Sequence, residues 1–227
     1  MDTLTVDLST GAGLDLLAGR VRRLATAGGE AGETAILGIT GPPGAGKTTL
    51  VLALLERLRV TEPPDVESRF AHVPMDGFHL SDRELARLGL LARKGAPETF
   101  DVYGYAELLR RLAGHRQNVV YAPGFERVLE QPVAGDIPVY PGARTVLTEG
   151  NYLLLDSPGW KEVRSRCTEV WYCDQPDDVR LDRLTRRHVD FGKEPDAAAA
   201  WVAGVDQPNA LLVQQSRSRA DLVVTVS

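Results

Sequence analysis

Apolar positions along the chain alternate between two periods. Leu14, Leu17, Val21 and Leu24 recur at helical spacing with Arg20, Arg22 and Arg23 among them, which predicts an amphipathic helix over 14–27. Gly28-Gly29-Glu30-Ala31-Gly32 breaks that pattern. Ala35 to Thr40 is then a short apolar run of the kind a strand covered on both faces shows. Helical spacing returns over 48–58, Pro63-Pro64 marks a turn, and Phe70 to Met75 is a second strand ending at Asp76. Ser81-Asp82-Arg83-Glu84 has the form of a capping box and predicts a helix over about 82–92. Another helix is expected over 105–113. The segment from Val119 to Pro141 carries Pro123, Pro132, Pro138 and Pro141 and predicts irregular structure with short edge strands. Thr145–Thr148 and Glu169–Cys173 read as strands. Pro176 at a helix start, with Asp177 and Asp178 in the first turn, opens a helix running to about Phe191 and stopped by Gly192. Further helices over 197–205 and 209–218 and a last strand over 222–226 complete the pattern. Strands alternating with helices predict an α/β fold: a doubly wound, mostly parallel sheet with helices on both faces, in one domain spanning 1–227.

The strand–helix junction at 40–48 carries the strongest chemical signal. Gly41-Pro42-Pro43-Gly44-Ala45-Gly46-Lys47-Thr48 satisfies G-x-x-x-x-G-K-[ST], between the strand and the helix that such a phosphate-binding loop requires. Glycines let the backbone wrap closely round phosphate oxygens, with N–H groups and a helix N-terminus facing negative charge. Lys47 would reach the β- and γ-phosphates, the Thr48 hydroxyl would ligate Mg²⁺, and Thr49 would add a further phosphate contact. The ligand this predicts is ATP with Mg²⁺. With four lysines and no N-K-x-D, a GTPase switch has no base-reading motif. The run Val146-Leu147-Thr148-Glu149 ends in a single Glu, unlike the Asp-Glu of motor ATPases. Phosphotransfer to a small molecule is the reading that survives.

Charge sharpens this. Among 227 residues, 26 Lys and Arg face 31 Asp and Glu, a net charge of −5 that argues against a nucleic-acid partner. No apolar run approaches membrane length and the N-terminus has no secretory pattern, so no membrane role and a cytoplasmic location are expected. Cys167 and Cys173, without metal or redox spacing, are expected to be buried free thiols. A homodimer is left open.

Ligands of open α/β sheets bind beyond the carboxyl ends of strands, where Asp76 and Glu149 fall. An alcohol kinase needs a carboxylate to orient the acceptor hydroxyl and take its proton. Asp76 is the candidate base; Glu149 is the candidate for a Mg²⁺ contact, directly or through water, or for an acceptor hydrogen bond. His79, Lys94 and Tyr103 are candidate acceptor contacts. Tyr105, Tyr121, Phe125 and Arg127 fall near the same loops, with packing the simpler account of each. Arg180, Arg183 and Arg187 share a helix face and predict a small lid over about 180–194 that closes on the triphosphate.

These segments together resemble the phosphoribulokinase/uridine kinase family of P-loop kinases, including its pantothenate-kinase-like branch and small bacterial members labelled as nucleoside or sugar kinases. The resemblance rests on Gly41 to Thr49, on Pro74-Met75-Asp76-Gly77-Phe78-His79, on Lys94-Gly95-Ala96-Pro97-Glu98-Thr99-Phe100-Asp101, on Glu149-Gly150, and on Arg183-Leu184 with Arg187-His188 and Gly192-Lys193. It spans roughly residues 35–226. It implies a P-loop kinase fold and ATP-dependent phosphorylation of a hydroxyl on a small molecule: a nucleoside, a sugar or a vitamin-like alcohol. Asp76 stands in the family's base position and Arg187 in its lid; His188 stands where the lid usually carries Asp. Two other expectations remain at this level: an ATP-binding regulator of a protein partner, and a nucleoside monophosphate kinase.

Overall fold

The computed structural model describes residues 2–27, 33–61 and 69–226. The Gly28–Gly32 break and the Pro63-Pro64 turn lie outside these residues. Strand β1 (Thr3–Val6) precedes helix α1 (Leu14–Ala27), then β2 (Ala35–Thr40), α2 (Lys47–Thr61) and β3 (Phe70–Pro74). A 3₁₀ turn over Met75–Phe78 leads to α3 (Asp82–Leu88) and α4 (Val102–Ala113). A hairpin of β4 (Val120–Glu126) and β5 (Gln131–Val139) follows, then β6 (Thr145–Gly150), α5 (Trp160–Arg166) and β7 (Glu169–Asp174). The chain ends with α6 (Asp177–Asp190), α7 (Pro195–Trp201), α8 (Gln207–Gln214) and β8 (Leu222–Val226).

Six strands form one sheet in the order β1-β8-β7-β2-β6-β3, with every ladder parallel. The central strand β2 shows why its sequence is apolar throughout. Its residues are all buried, and they alternate between two cores: Leu37 and Ile39 face the layer of α1 and α2, whereas Ile36 faces the layer of α4 and α5. A strand covered on both faces has no polar side to alternate with. The carboxyl ends of β2, β3 and β6 gather at one edge, where the segments leaving β2 and β3 carry the phosphate loop and Asp76, and β6 itself ends in Glu149-Gly150.

Several predicted elements change on folding. Strand β1 was not read from the sequence; it is a four-residue edge strand whose residues are mostly solvent-facing, so it carries little hydrophobic signal. The helix expected to reach residue 92 stops at Leu88, because Gly89 turns left-handed (φ 71°) and caps it; Leu91–Arg93 is a separate 3₁₀ turn. Its start is as predicted, with the Ser81 hydroxyl accepting from the Glu84 amide. Pro176 is the cap residue itself, one position before the helix.

The segment expected to be irregular with short edge strands is an antiparallel ribbon of two longer strands that contain Pro123, Pro132 and Pro138. A two-stranded ribbon has no central strand, so every residue has an outward edge at which a missing N–H is tolerated. The register also shifts between Ala122 and Gly124, at Pro123. The ribbon is pinned over the turn after β3, since a Cβ added at Gly77 would lie 2.2 Å from the Pro123 carbonyl oxygen. The two C-terminal helices expected to be separate are joined by a π-helical turn over Val202–Asp206, ahead of Pro208. Cys167 and Cys173 are buried free thiols, as expected, and burial pushes each up to about 12. Among the described residues no helix is long and apolar enough to cross a membrane.

Candidate active site

The phosphate loop owes its shape to three glycines with positive φ: Gly41 (149°), Gly44 (81°) and Gly46 (85°). At two of them space is restricted as well. A Cβ on Gly41 would lie 2.5 Å from the Cys173 carbonyl oxygen, and one on Gly44 would lie 2.8 Å from both Cγ and the carbonyl oxygen of Arg180. The loop is therefore held between the end of β7 and the face of α6.

Arg180 is the main correction to the sequence reading. It was placed with Arg183 and Arg187 on a lid face; it is fully buried instead. Its Nη1 donates to the Pro43 carbonyl at 3.3 Å, and Nη2 donates to Asp177 Oδ1 at 3.1 Å and to Gln207 Oε1. A fully buried guanidinium bonded to Pro43, Asp177 and Gln207 supports the loop from beneath and lines neither recess above it. Arg187 shares nearly the same helix face but sits two turns, about 10 Å, further along the axis, so Arg183 and Arg187 line the recesses while Arg180 lies under the loop.

Above the loop lies a cleft of about 290 Å³ lined by Pro43, Gly44, Lys47 and Thr48 from the loop, by Asp76, His79, Lys94 and Phe125 from later segments, and by Glu149 and Arg187. A second recess, lined by Gly46, Thr49 and Arg183, adjoins it and shares Gly44, Lys47, Thr48, Arg127 and Arg187. The two meet over the phosphate loop. Gly41 and Ala45 shape the loop from positions that line neither recess. Tyr103, an expected acceptor contact, is not among the lining residues; it is exposed on α4, because the helix turns that face away from the cleft. Tyr105 is in the core, its hydroxyl paired with that of Thr148, and Tyr121 is exposed.

Lys47 is buried, and its ammonium donates to the carbonyls of Gly41 (2.9 Å) and Pro42 (3.1 Å) and to Asn151 Oδ1 (2.7 Å). Burial holds it below its ordinary value, against the opposing pull of Glu149. Glu149 Oε1 accepts from the Thr48 hydroxyl at 2.8 Å. Burial and the negative charge of Asp76 raise the Glu149 carboxyl, with Lys47 and Thr48 pulling the other way.

This donor set fits Mg²⁺. Thr48 and Glu149 present adjacent oxygens, the ligand type Mg²⁺ takes, and a buried carboxylate strained by a second one is stabilised by a cation. One or two carboxylates with phosphate oxygens and waters suffice for this ion.

On the acceptor side, His79 Nδ1 lies 2.9 Å from the Asp76 carbonyl oxygen. A carbonyl only accepts, so Nδ1 carries the proton and Nε2 is left as an acceptor. The ring lies between Phe100 (4.1 Å between centroids) and Phe125 (4.9 Å), and burial lowers its pKa. Lys94 donates to Asp82 Oδ1 at 2.6 Å and to the Glu130 carbonyl, which ties the loop after α3 to the hairpin. At the lid, His188 Nε2 pairs with Asp206 Oδ2 at 2.8 Å, and the Lys193 ammonium lies 4.9 Å from the Trp201 ring. His188 thus links α6 to the π-helical turn.

The sequence reading missed Asn151, the hairpin as a wall of the cleft, and the His188–Asp206 pair. Asn151 follows Glu149-Gly150 directly, so proximity to that motif was the available signal. The pairing of His188 across 18 residues had none.

His72, on β3, predicts a measurable pH effect. Burial lowers its pKa to about 4, with the charge of Asp76 opposing. Unfolded chains take up this proton near pH 6.5, whereas the folded chain resists it to about 4, so the stabilisation is complete above pH 6.5 and is lost as pH falls toward 4. The loss amounts to about 2 kcal/mol by pH 5. Urea midpoints at pH 7.5 and 5.0 should differ by less in His72→Gln than in wild type.

No family model matches the chain. Individual relatives do. An ATP-dependent kinase-like protein, notR', of Aspergillus versicolor is 35% identical over 133 residues, 56% of this chain and 77% of that one. A candidate uridine kinase of Schizosaccharomyces pombe is 32% identical over 164 residues, 70% of this chain and 68% of that one. The chain belongs to the uridine kinase-like family of P-loop kinases. Among solved structures, a candidate fructose transport system kinase from Silicibacter sp. TM1040 superposes with a TM-score of 0.75 at 36% identity, over 88% of this chain and 98% of that one. The chain is accordingly a phosphotransferase that uses ATP.

Proposed function

We propose that this kinase transfers the γ-phosphoryl group of ATP to a hydroxyl of a small polar molecule, with Asp76 as the acceptor-orienting base. The observation that carries the reading is the shared cleft: phosphate-loop residues line it together with Asp76 and His79. In the transfer, the acceptor oxygen bonds to the γ-phosphorus, the bond from that phosphorus to the β–γ bridging oxygen breaks, and ADP leaves. The hydroxyl proton passes to the Asp76 carboxylate. Lys47 neutralises charge on the β- and γ-phosphates, and the loop amides position them. Mg²⁺ held by Thr48 and Glu149 neutralises phosphate charge when bound.

The acceptor end suits a compact, hydroxyl-rich molecule. His79 Nε2 accepts a hydrogen bond, the Phe125 ring offers a face for C–H groups, and the polar lining favours a nucleoside, a sugar or a vitamin-like alcohol. The relatives named for uridine and fructose-transport kinases support these classes. Coupled-assay screening of nucleosides, sugars and vitamin alcohols with MgATP tests this. Acceptor-dependent ADP release is expected for at least one class. If none releases ADP, while MgATP binds and alters affinity for a protein partner, the regulatory reading replaces this one.

A further inference from the structure

Many arginines of this chain are neutralised. Arg20, Arg57, Arg87, Arg93, Arg110 and Arg164, for instance, each pair with a carboxylate. Among the described residues, eight arginines make no side-chain hydrogen bond or ion pair; Arg23, Arg83, Arg111, Arg144 and Arg166 lie elsewhere, whereas Arg127, Arg183 and Arg187 all line the recesses over the phosphate loop. Guanidinium groups left without counter-charge on a −5 chain, and gathered at one place, mark where an anion arrives.

Arg183 and Arg187 come from α6, but Arg127 comes from the tip of the acceptor-side hairpin, immediately after β4. It lines both recesses, so it stands where the nucleotide side and the acceptor side meet. Its charge also acts on Glu149, lowering that carboxyl against burial. Its guanidinium packs on a ring: its carbon lies 5.7 Å from the centroid of Phe191, at the end of α6. A stacking contact on a half-exposed ring is weak and holds the side chain in the cleft without occupying its donors.

We infer that Arg127 binds the transferring γ-phosphoryl group, so that the acceptor hairpin supplies a third phosphate-binding arginine opposite the two on α6. This rests on the kinase reading above. A planar fork at this place can hold two equatorial phosphoryl oxygens and gains strength as charge spreads over them in transfer. It also couples the two ends of the cleft, since displacement of the hairpin tip withdraws a donor from the phosphoryl group.

Binding of three probes with MgCl₂ by calorimetry tests the assignment: ADP, a non-hydrolysable ATP analogue with an imido β–γ bridge, and ADP with fluoroaluminate. Arg127→Ala should bind ADP within about twofold of wild type, bind the imido analogue at least ~10-fold more weakly, and lose still more with fluoroaluminate. Arg127→Lys should recover only part of the loss, since an ammonium lacks the fork. Both variants should melt within a few degrees of wild type, because no hydrogen bond is removed. Equal loss for ADP and the analogue, or no loss for the analogue, overturns the inference; the second outcome moves Arg127 to the acceptor alone. Failure of wild type to bind either nucleotide overturns the kinase reading instead.

Discussion

Asp76→Asn is expected to lower turnover with the true acceptor by about 10²- to 10⁴-fold while nucleotide affinity stays within about twofold. The asymmetry follows from position. Asp76 sits in the 3₁₀ turn after β3 and lines the cleft without belonging to the phosphate loop, whereas the proposed nucleotide contacts are residues 41–49 and α6. The amide keeps the size of the carboxylate and loses the ability to take a proton. Steady-state rates with each substrate varied in turn, beside calorimetry with the imido analogue, separate the two effects. Unchanged turnover would remove Asp76 from the mechanism, and lost nucleotide affinity would show that it acts on the phosphates.

The second large effect is expected at Lys47. Three ammonium protons meet three oxygens, on Gly41, Pro42 and Asn151, in a buried position. Lys47→Ala removes both the charge and those contacts. Lys47→Arg retains the charge but brings a planar, wider head group into a cradle that accepts a compact one. Turnover should fall by at least ~10²-fold in both variants, the range for loss of one electrostatic donor to a transferring group, with the Arg variant rescuing little. Initial rates with saturating MgATP and the acceptor from the screen check this. Near-wild-type activity of Lys47→Arg would mean that charge alone, not head-group shape, is required.

The lysine distribution bears on that result. The chain has only four lysines, Lys47, Lys94, Lys161 and Lys193, and the first, second and fourth line the cleft. Only Lys47 is buried under phosphate-loop carbonyls. Lys94 is spent on Asp82 and the hairpin, Lys193 rests on Trp201, and Lys161 pairs with Asp156 in solvent. The structure thus separates a lysine buried in the phosphate loop from two that brace the segments around it.

Local chemistry made much of this protein legible in its sequence. The phosphate loop needs glycines at positive φ beside a Lys and a Thr, which is a pattern in consecutive residues. The strands need apolar runs and the helices a 3.6-residue period, so the α/β alternation, the Ser81 cap and the strand-end positions of Asp76 and Glu149 follow from short stretches of chain. Tertiary structure decided what depends on distant partners. The prolines of 120–139 read as irregular until pairing gave each an outward edge. Arg180 and Arg187 look equivalent on a helical wheel, yet Pro43, 137 residues before Arg180, takes one of them under the loop. Asn151 reaches Lys47 only because β2 and β6 are neighbours in register. Arg127 acquires its place because the hairpin folds over Gly77 and brings its tip to Phe191. Sequence fixes what each segment can do within a few residues; which charge stays unpaired, and what it faces, depends on the packing of segments that lie far apart along the chain.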